Sequence, residues 1–267
     1  MISLMSLLVA ATLVSLQHSF TNAQIDNSKM DIDNSLQANV LTPPTRRSRF
    51  HKFLSISEPP PATATWSPDT PVELSCGFMG KPAPSVSWLK NGEPITEYEE
   101  ETNDLIAEEP SSIASGTSTL IISSSTGHAE DVYTCVVTSG TTQKTASTTV
   151  YSTPANEADE LLSLQKLFNV PTRPRIVMSY VDMFQVLGSN VVLPCQVYTF
   201  EKSQIYWQDN QEHLVYGNSR VRVLPSGSLL INNLRWSDMG MYTCTVKNML
   251  GKDSASTFVY PMKTKAH

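Results

Sequence analysis

The 267-residue sequence predicts an all-β fold, two tandem sandwiches, and three observations carry that reading. Twice, a Cys is followed twelve residues later by a Trp: Cys76 with Trp88, and Cys195 with Trp207. Each half then reaches a second Cys through a short motif, Asp131-Val132-Tyr133-Thr134-Cys135 and Asp238-Met239-Gly240-Met241-Tyr242-Thr243-Cys244. A Tyr two residues before a buried Cys marks the corner of an immunoglobulin-like sandwich. Around these motifs apolar and polar residues alternate, the period of a half-buried strand. The fold class is therefore two immunoglobulin-like sandwiches of the I type.

In chain order, residues 1–23 come first, with a thirteen-residue apolar run from Leu4 to Leu16 and small residues at Thr21 and Ala23. No Lys or Arg precedes that run, yet its length fits a secretory signal peptide and is too short to span a bilayer. No later stretch is apolar and long enough to cross, so a secreted, extracellular protein without a membrane span is expected. In that compartment disulfides persist. Residues 24–49 are polar, with few aromatic side chains, and read as disordered. Arg46-Arg47-Ser48-Arg49 is either a processing site or a solvated basic patch. No Asn-x-Ser/Thr acceptor for N-glycosylation occurs in the chain.

Residues 50–152 form the expected first domain. Val72-Glu73-Leu74-Ser75-Cys76 alternates as a strand, the prolines of 80–84 fall between strands, and Asn91-Gly92 signals a hairpin turn. Residues 153–170 link the halves. There Leu161, Leu164 and Phe168 share one side of a possible short helix, which reads as a packed spacer or as a partner-binding element. Residues 171–262 form the second domain, where Leu229 and Ile231 lie in a strand and Asn248-Met249-Leu250-Gly251 closes a hairpin. A tail of residues 263–267 follows. Pairing within each half gives Cys76–Cys135 and Cys195–Cys244, loops of 59 and 49 residues. In a loop-entropy account each bridge contributes roughly 4 kcal/mol.

The chain offers no chemistry for catalysis. Its five His residues are not at metal-ligand spacing, and all four Cys have structural roles. It has no Gly-rich phosphate loop and no nucleophile elbow. A binding protein with no cofactor and no nucleic-acid partner is expected. Charge divides unevenly, net −9 over residues 50–152 and net +4 over 171–267. The acidic excess gathers at Glu97 to Glu101 and at Glu108-Glu109, most simply a solvated loop that affects steering and solubility.

Strand alternation locates candidate contact residues. If Trp207, Tyr242 and Cys244 point inward, Tyr206 points outward; with Ala255, Thr257 and Val259 inward, Phe258 and Tyr260 point outward. The first domain repeats this with Leu89, Val136 and Tyr151. Large apolar side chains on a solvent face mark an interface. The two domains' sheets could cover each other, the chain could form a homodimer, or an external ligand could bind.

Beyond this pattern the second half carries particular segments. These are Arg173-Pro174-Arg175-Ile176, Leu187-Gly188-Ser189-Asn190, Arg222-Val223-Leu224 and Gly251-Lys252-Asp253, with Thr257-Phe258-Val259-Tyr260-Pro261 at its end. With Ala107-Glu108-Glu109-Pro110-Ser111 in the first half, they resemble the insect neural/ectodermal development factor family over residues 58–262. That resemblance implies a secreted two-domain protein that sequesters an insulin-like peptide hormone and dampens insulin-receptor signalling. A secreted adhesion or axon-guidance protein binding cell surfaces or matrix is the other reading. On the first, Tyr206, Phe258, Tyr260, Leu89, Val136 and Tyr151 are candidate contacts, with Leu161, Leu164 and Phe168 of the linker next.

Overall fold

Two stacks of β-strands each close over a disulfide, and one sheet runs through both. The structure, a computed structural model, describes residues 51–67, 71–95, 111–123, 128–152 and 172–263. The signal segment, the acidic loop, and the linker with its expected helix and Leu161, Leu164 and Phe168 lie outside the described residues.

The first sandwich uses β1 (Phe53–Glu58), β2 (Thr63–Trp66), β3 (Val72–Lys81), β4 (Ser85–Lys90), β5 (Glu93–Pro94), β6 (Ile113–Ile122), β7 (Glu130–Ser139) and β8 (Thr142–Ser152). One layer runs β1-β3-β6 and the other β2-β8-β7-β4-β5. Alternation turns Leu74, Cys76 and Phe78 of β3 inward against Trp88, Tyr133, Cys135 and Val137. Asn91 and Gly92 take φ of 52° and 90° between β4 and β5, the left-handed pair that a tight hairpin requires. The Cys76–Cys135 bridge joins the layers, and Trp88 Nε1 donates to Ser118 Oγ at 3.0 Å.

The second sandwich uses β9 (Arg175–Val186), β10 (Val191–Leu193), β11 (Cys195–Tyr198), β12 (Gln204–Gln208), β13 (Val221–Val223), β14 (Leu229–Ile231), β15 (Gly240–Asn248) and β16 (Gly251–Met262). Pro194 has no N–H to give a ladder and separates β10, in a layer with β14 and β13, from β11, which pairs with β9. The Cys195–Cys244 bridge forms as its spacing predicts. Trp207 Nε1 donates to the Gly227 carbonyl at 2.8 Å, so the buried indole N–H keeps a partner in place of water. Tyr242 donates its hydroxyl to the Asp238 carbonyl at 3.0 Å, and burial pushes that phenol well above its ordinary range. Below it, the buried Asp238 carboxylate meets the Arg220 guanidinium through two bonds of 2.7 and 2.9 Å and accepts from Arg235 N at 2.8 Å. The carboxylate in turn holds the Arg220 guanidinium above its ordinary pKa.

The sandwiches meet edge to edge. β6 of the first pairs antiparallel with β9 of the second, giving one continuous order β1-β3-β6-β9-β16-β15-β12. Both cores lie on the same side of this sheet. Met178 of β9 packs into the first core, while Ala114 of β6 packs into the second. Tyr180 sits between them, its ring edge-on to Phe78 and its hydroxyl donating to the Pro84 carbonyl at 3.0 Å. Thr257 Oγ1 donates to the Tyr180 carbonyl at 2.7 Å. Gln185, fully buried, accepts from Ser111 Oγ at 3.0 Å and from Val186 N at 2.8 Å.

One irregularity interrupts the seam. Ser115 pairs with Asp182 and Gly116 with Tyr180, so Val181 is an extra residue on β9, a β-bulge. Gly116 is needed where the backbones approach: a Cβ there would lie 2.6 Å from the Ser179 carbonyl oxygen and 2.8 Å from the Phe78 ring.

Two mutations test these joints. Arg220→Ala strands the Asp238 carboxylate and is expected to cost about 3 kcal/mol, seen as a lower melting temperature with the disulfides intact. Gly116→Val drives a branched side chain into backbone and is expected to cost at least ~2 kcal/mol. Limited proteolysis of that variant should cut at the junction before either core; uncut protein with an unchanged melting temperature would show the seam tolerates the bulk.

Candidate functional site

The outer face of the continuous sheet is the side turned away from both cores, and cross-strand register fixes what stands on it. One row runs Met79, Ser115, Asp182, Phe258, Met241 across β3, β6, β9, β16 and β15. The next runs Ile113, Phe184, Tyr260 across β6, β9 and β16. Val186 and Met262 pair beyond it. Residues of both domains thus share one surface that neither sandwich could form alone.

Aromatic contacts tie this surface together. The Phe184 and Tyr260 rings lie 5.8 Å apart, and Trp236, on the 3-10 turn Trp236–Asp238, meets Tyr260 edge-on at 5.9 Å. Such pairings stabilise beyond the area they cover. Lys263 Nζ lies 5.7 Å from the centre of the Trp236 ring. Met79, Trp236, Met241 and Tyr260 are exposed, Tyr260 by 37% and Trp236 by 49% despite their ring contact. A contiguous patch of this kind is available to a partner.

The alternation expected for the last strand holds. Thr257 and Val259 are buried, Phe258 is half-buried and Tyr260 exposed. Tyr206 also lies on the outer face, half-buried, but stands apart from the patch. Its row is Tyr206, Thr245, Ser254, four residues along β16 from Phe258, or about 13 Å at strand rise. Hydroxyl pairs fill the gap, Thr243 with Ser256 at 2.9 Å and Thr245 with Ser254 at 3.0 Å.

The first-domain candidates lie elsewhere. Leu89, Val136 and Tyr151 belong to the layer β2-β8-β7-β4-β5, whose outer face lies across the first core from the patch. Val136 is a correction: its strand parity is outward as expected, but it is only 4% exposed and offers no contact area. Leu89 is half-buried beside Thr134, and Tyr151 is exposed opposite Glu130. Of the alternatives for these faces, mutual covering of the two domains' sheets does not occur, because the sheets join along their edges.

Strand alternation within single segments does not single out Met79, Ile113, Phe184, Trp236 or Met241. A signal for the junction exists: β9 carries apolar residues on both parities, Val177, Val181 and Met183 as well as Met178, Tyr180 and Phe184. A strand apolar on both faces belongs inside a sheet. Among the described residues no group of His, Cys, Asp and Glu could hold a metal ion, and no helix is long and apolar enough to cross a membrane.

Comparisons with known proteins agree with this architecture. Residues 55–151 match the immunoglobulin I-set domain, and residues 173–248 match an immunoglobulin domain. The chain is 33% identical over 239 residues to the neural/ectodermal development factor IMP-L2 of Drosophila melanogaster, covering 89% of this chain and 87% of that one. It is 31% identical to the Zwei Ig domain protein zig-2 of Caenorhabditis elegans, over 72% of this chain and 79% of the relative. The crystal structure of neural ectodermal development factor IMP-L2 aligns with a TM-score of 0.63 at 32% identity, over 79% of this chain and 95% of that one. Two disulfide-closed sandwiches and end-to-end similarity together place the chain in the neural/ectodermal development factor family of two-immunoglobulin-domain proteins.

Proposed function

We propose that this chain is a secreted binding protein that sequesters an insulin-like peptide hormone and so dampens insulin-receptor signalling. The family supports an extracellular immunoglobulin-domain protein. The observation that carries the finer reading is the outward-facing cluster of half-buried Phe184 and Phe258 with exposed Trp236, Met241 and Tyr260, continued into the first domain by Ile113 and, beyond Ser115, by Met79. A hormone with an apolar receptor-binding surface needs an apolar counter-surface with a polar rim. The Ser and Thr ladder on one side and Lys263 on the other provide that rim. Aromatic side chains at the centre of such a contact carry most of its energy.

The hormone's receptor-binding surface would be covered while the complex lasts, which is sequestration without chemistry. Calorimetric titration of residues 24–267 with an insulin-like peptide from the same animal tests this. Phe258→Ala should weaken binding by at least ~1 kcal/mol with a nearly unchanged melting temperature, and Tyr260→Ala by as much with a modest fall in melting temperature from its lost ring contacts. Tyr151→Ala, on the far layer, should bind as the parent does. Absence of heat and of competition with receptor at micromolar concentration would instead favour adhesion to cell surfaces or matrix.

A further inference from the structure

Asp182 occupies an improbable position on this face, between Ser115 and Phe258 in its row and two residues before Phe184 on its own strand. The bulge puts it there. Tyr180 points into the cores, so strict alternation would turn Val181 out and Asp182 in. The extra residue resets the parity: Val181 is 53% exposed, Asp182 stands beside the outward Ser115, and Met183 returns to the second core. Bulges commonly re-aim one side chain in this manner.

The carboxylate is under-used. Its Oδ2 accepts from Ser115 Oγ at 2.9 Å, and among the described residues no Lys, Arg or His pairs with it. Among the described residues, the other carboxylates withdrawn from full exposure have partners, while Glu58, Glu93, Glu130, Glu201 and Glu212 stand exposed in water. Asp131 meets Lys90, Asp238 meets Arg220, and Glu73 and Asp253 share Arg175. Asp209 accepts from the amides of Gln211 and His213. An apolar partner laid over Asp182 would remove its water and leave the charge unmatched, a large penalty unless the partner brings a cation.

We propose that Asp182 is the specificity-determining residue of this face, pairing with one Lys or Arg side chain on the docked peptide. This rests on the hormone-binding reading. The apolar cluster then supplies affinity, and Asp182 rejects apolar surfaces that lack a cation, because discrimination comes from penalties as much as from contacts. A guanidinium suits the position, since its flat fork can engage the carboxylate while lying against Phe258.

The test titrates the secreted chain, as wild type, Asp182→Asn and Asp182→Glu, with an insulin-like peptide from the same animal at low and high salt. Single Lys→Gln and Arg→Gln variants of the peptide complete a double-mutant cycle. Asn retains the side-chain shape and an oxygen for Ser115, so folding should be preserved, as checked by melting. The expected result is about tenfold weaker binding by Asp182→Asn with reduced salt dependence, and salt dependence retained by Asp182→Glu. One peptide substitution should cost as much against wild type and little more against Asp182→Asn. Unchanged binding by Asp182→Asn, with no coupled peptide position, overturns the inference while Tyr260→Ala still reports on the face. If the wild-type chain binds no insulin-like peptide, the hormone reading falls and this inference with it.

Discussion

Backbone hydrogen bonds between β6 and β9 convert two small sandwiches into one extended platform. Without them β6 would present a bare edge of N–H and C=O groups, the kind of edge proteins cover or pair. With them, side chains from both halves enter each other's cores: Met178 below one sandwich, Ala114 below the other, and Tyr180 between. The ion pair across the seam, Arg175 with Glu73, is bidentate at 2.9 and 3.0 Å but lies at the surface, where solvent and salt screen it. Ladder and packing therefore fix the domain arrangement, although the halves carry opposite net charge.

How much of this the sequence discloses follows from the range of each interaction. Cys76, Trp88, Tyr133 and Cys135, and their counterparts in the second half, announce the sandwich because local spacing imposes their geometry. The inward-outward phase of Phe258 and Tyr260 is equally local, fixed by Val259 and Thr257 on either side. The register between β6 and β9 joins residues 67 apart at Ser115 and Asp182, and no local pattern encodes it. Two traces of it are visible in retrospect. One is a glycine in mid-strand at Gly116, where the facing backbone leaves no room for Cβ. The other is the apolar character of both faces of β9.

Parity alone gives neither exposure, as at Val136, nor proximity, as at Tyr206. Both side chains have the expected direction. Alternation says which face a side chain occupies, but neither what covers it nor what stands beside it. The patch needs more than parity: a pairing that aligns Met79, Phe258 and Met241 in one row, and a turn that brings Trp236 against Tyr260. These are tertiary facts, and they decide which outward aromatics form a surface.

The seam also changes what the connection between Ser152 and Thr172 has to do. In a tandem held only by its linker, linker length and stiffness set the angle between domains, and each insertion would move one binding surface relative to the other. Here the ladder from Ile113 to Ser118 holds the second domain in place. The connecting segment needs only to span the gap and keep the halves at high effective concentration, which depends weakly on its length. Its sequence is thereby released from positional duty and can diverge, lengthen or acquire motifs of its own while the platform keeps its geometry.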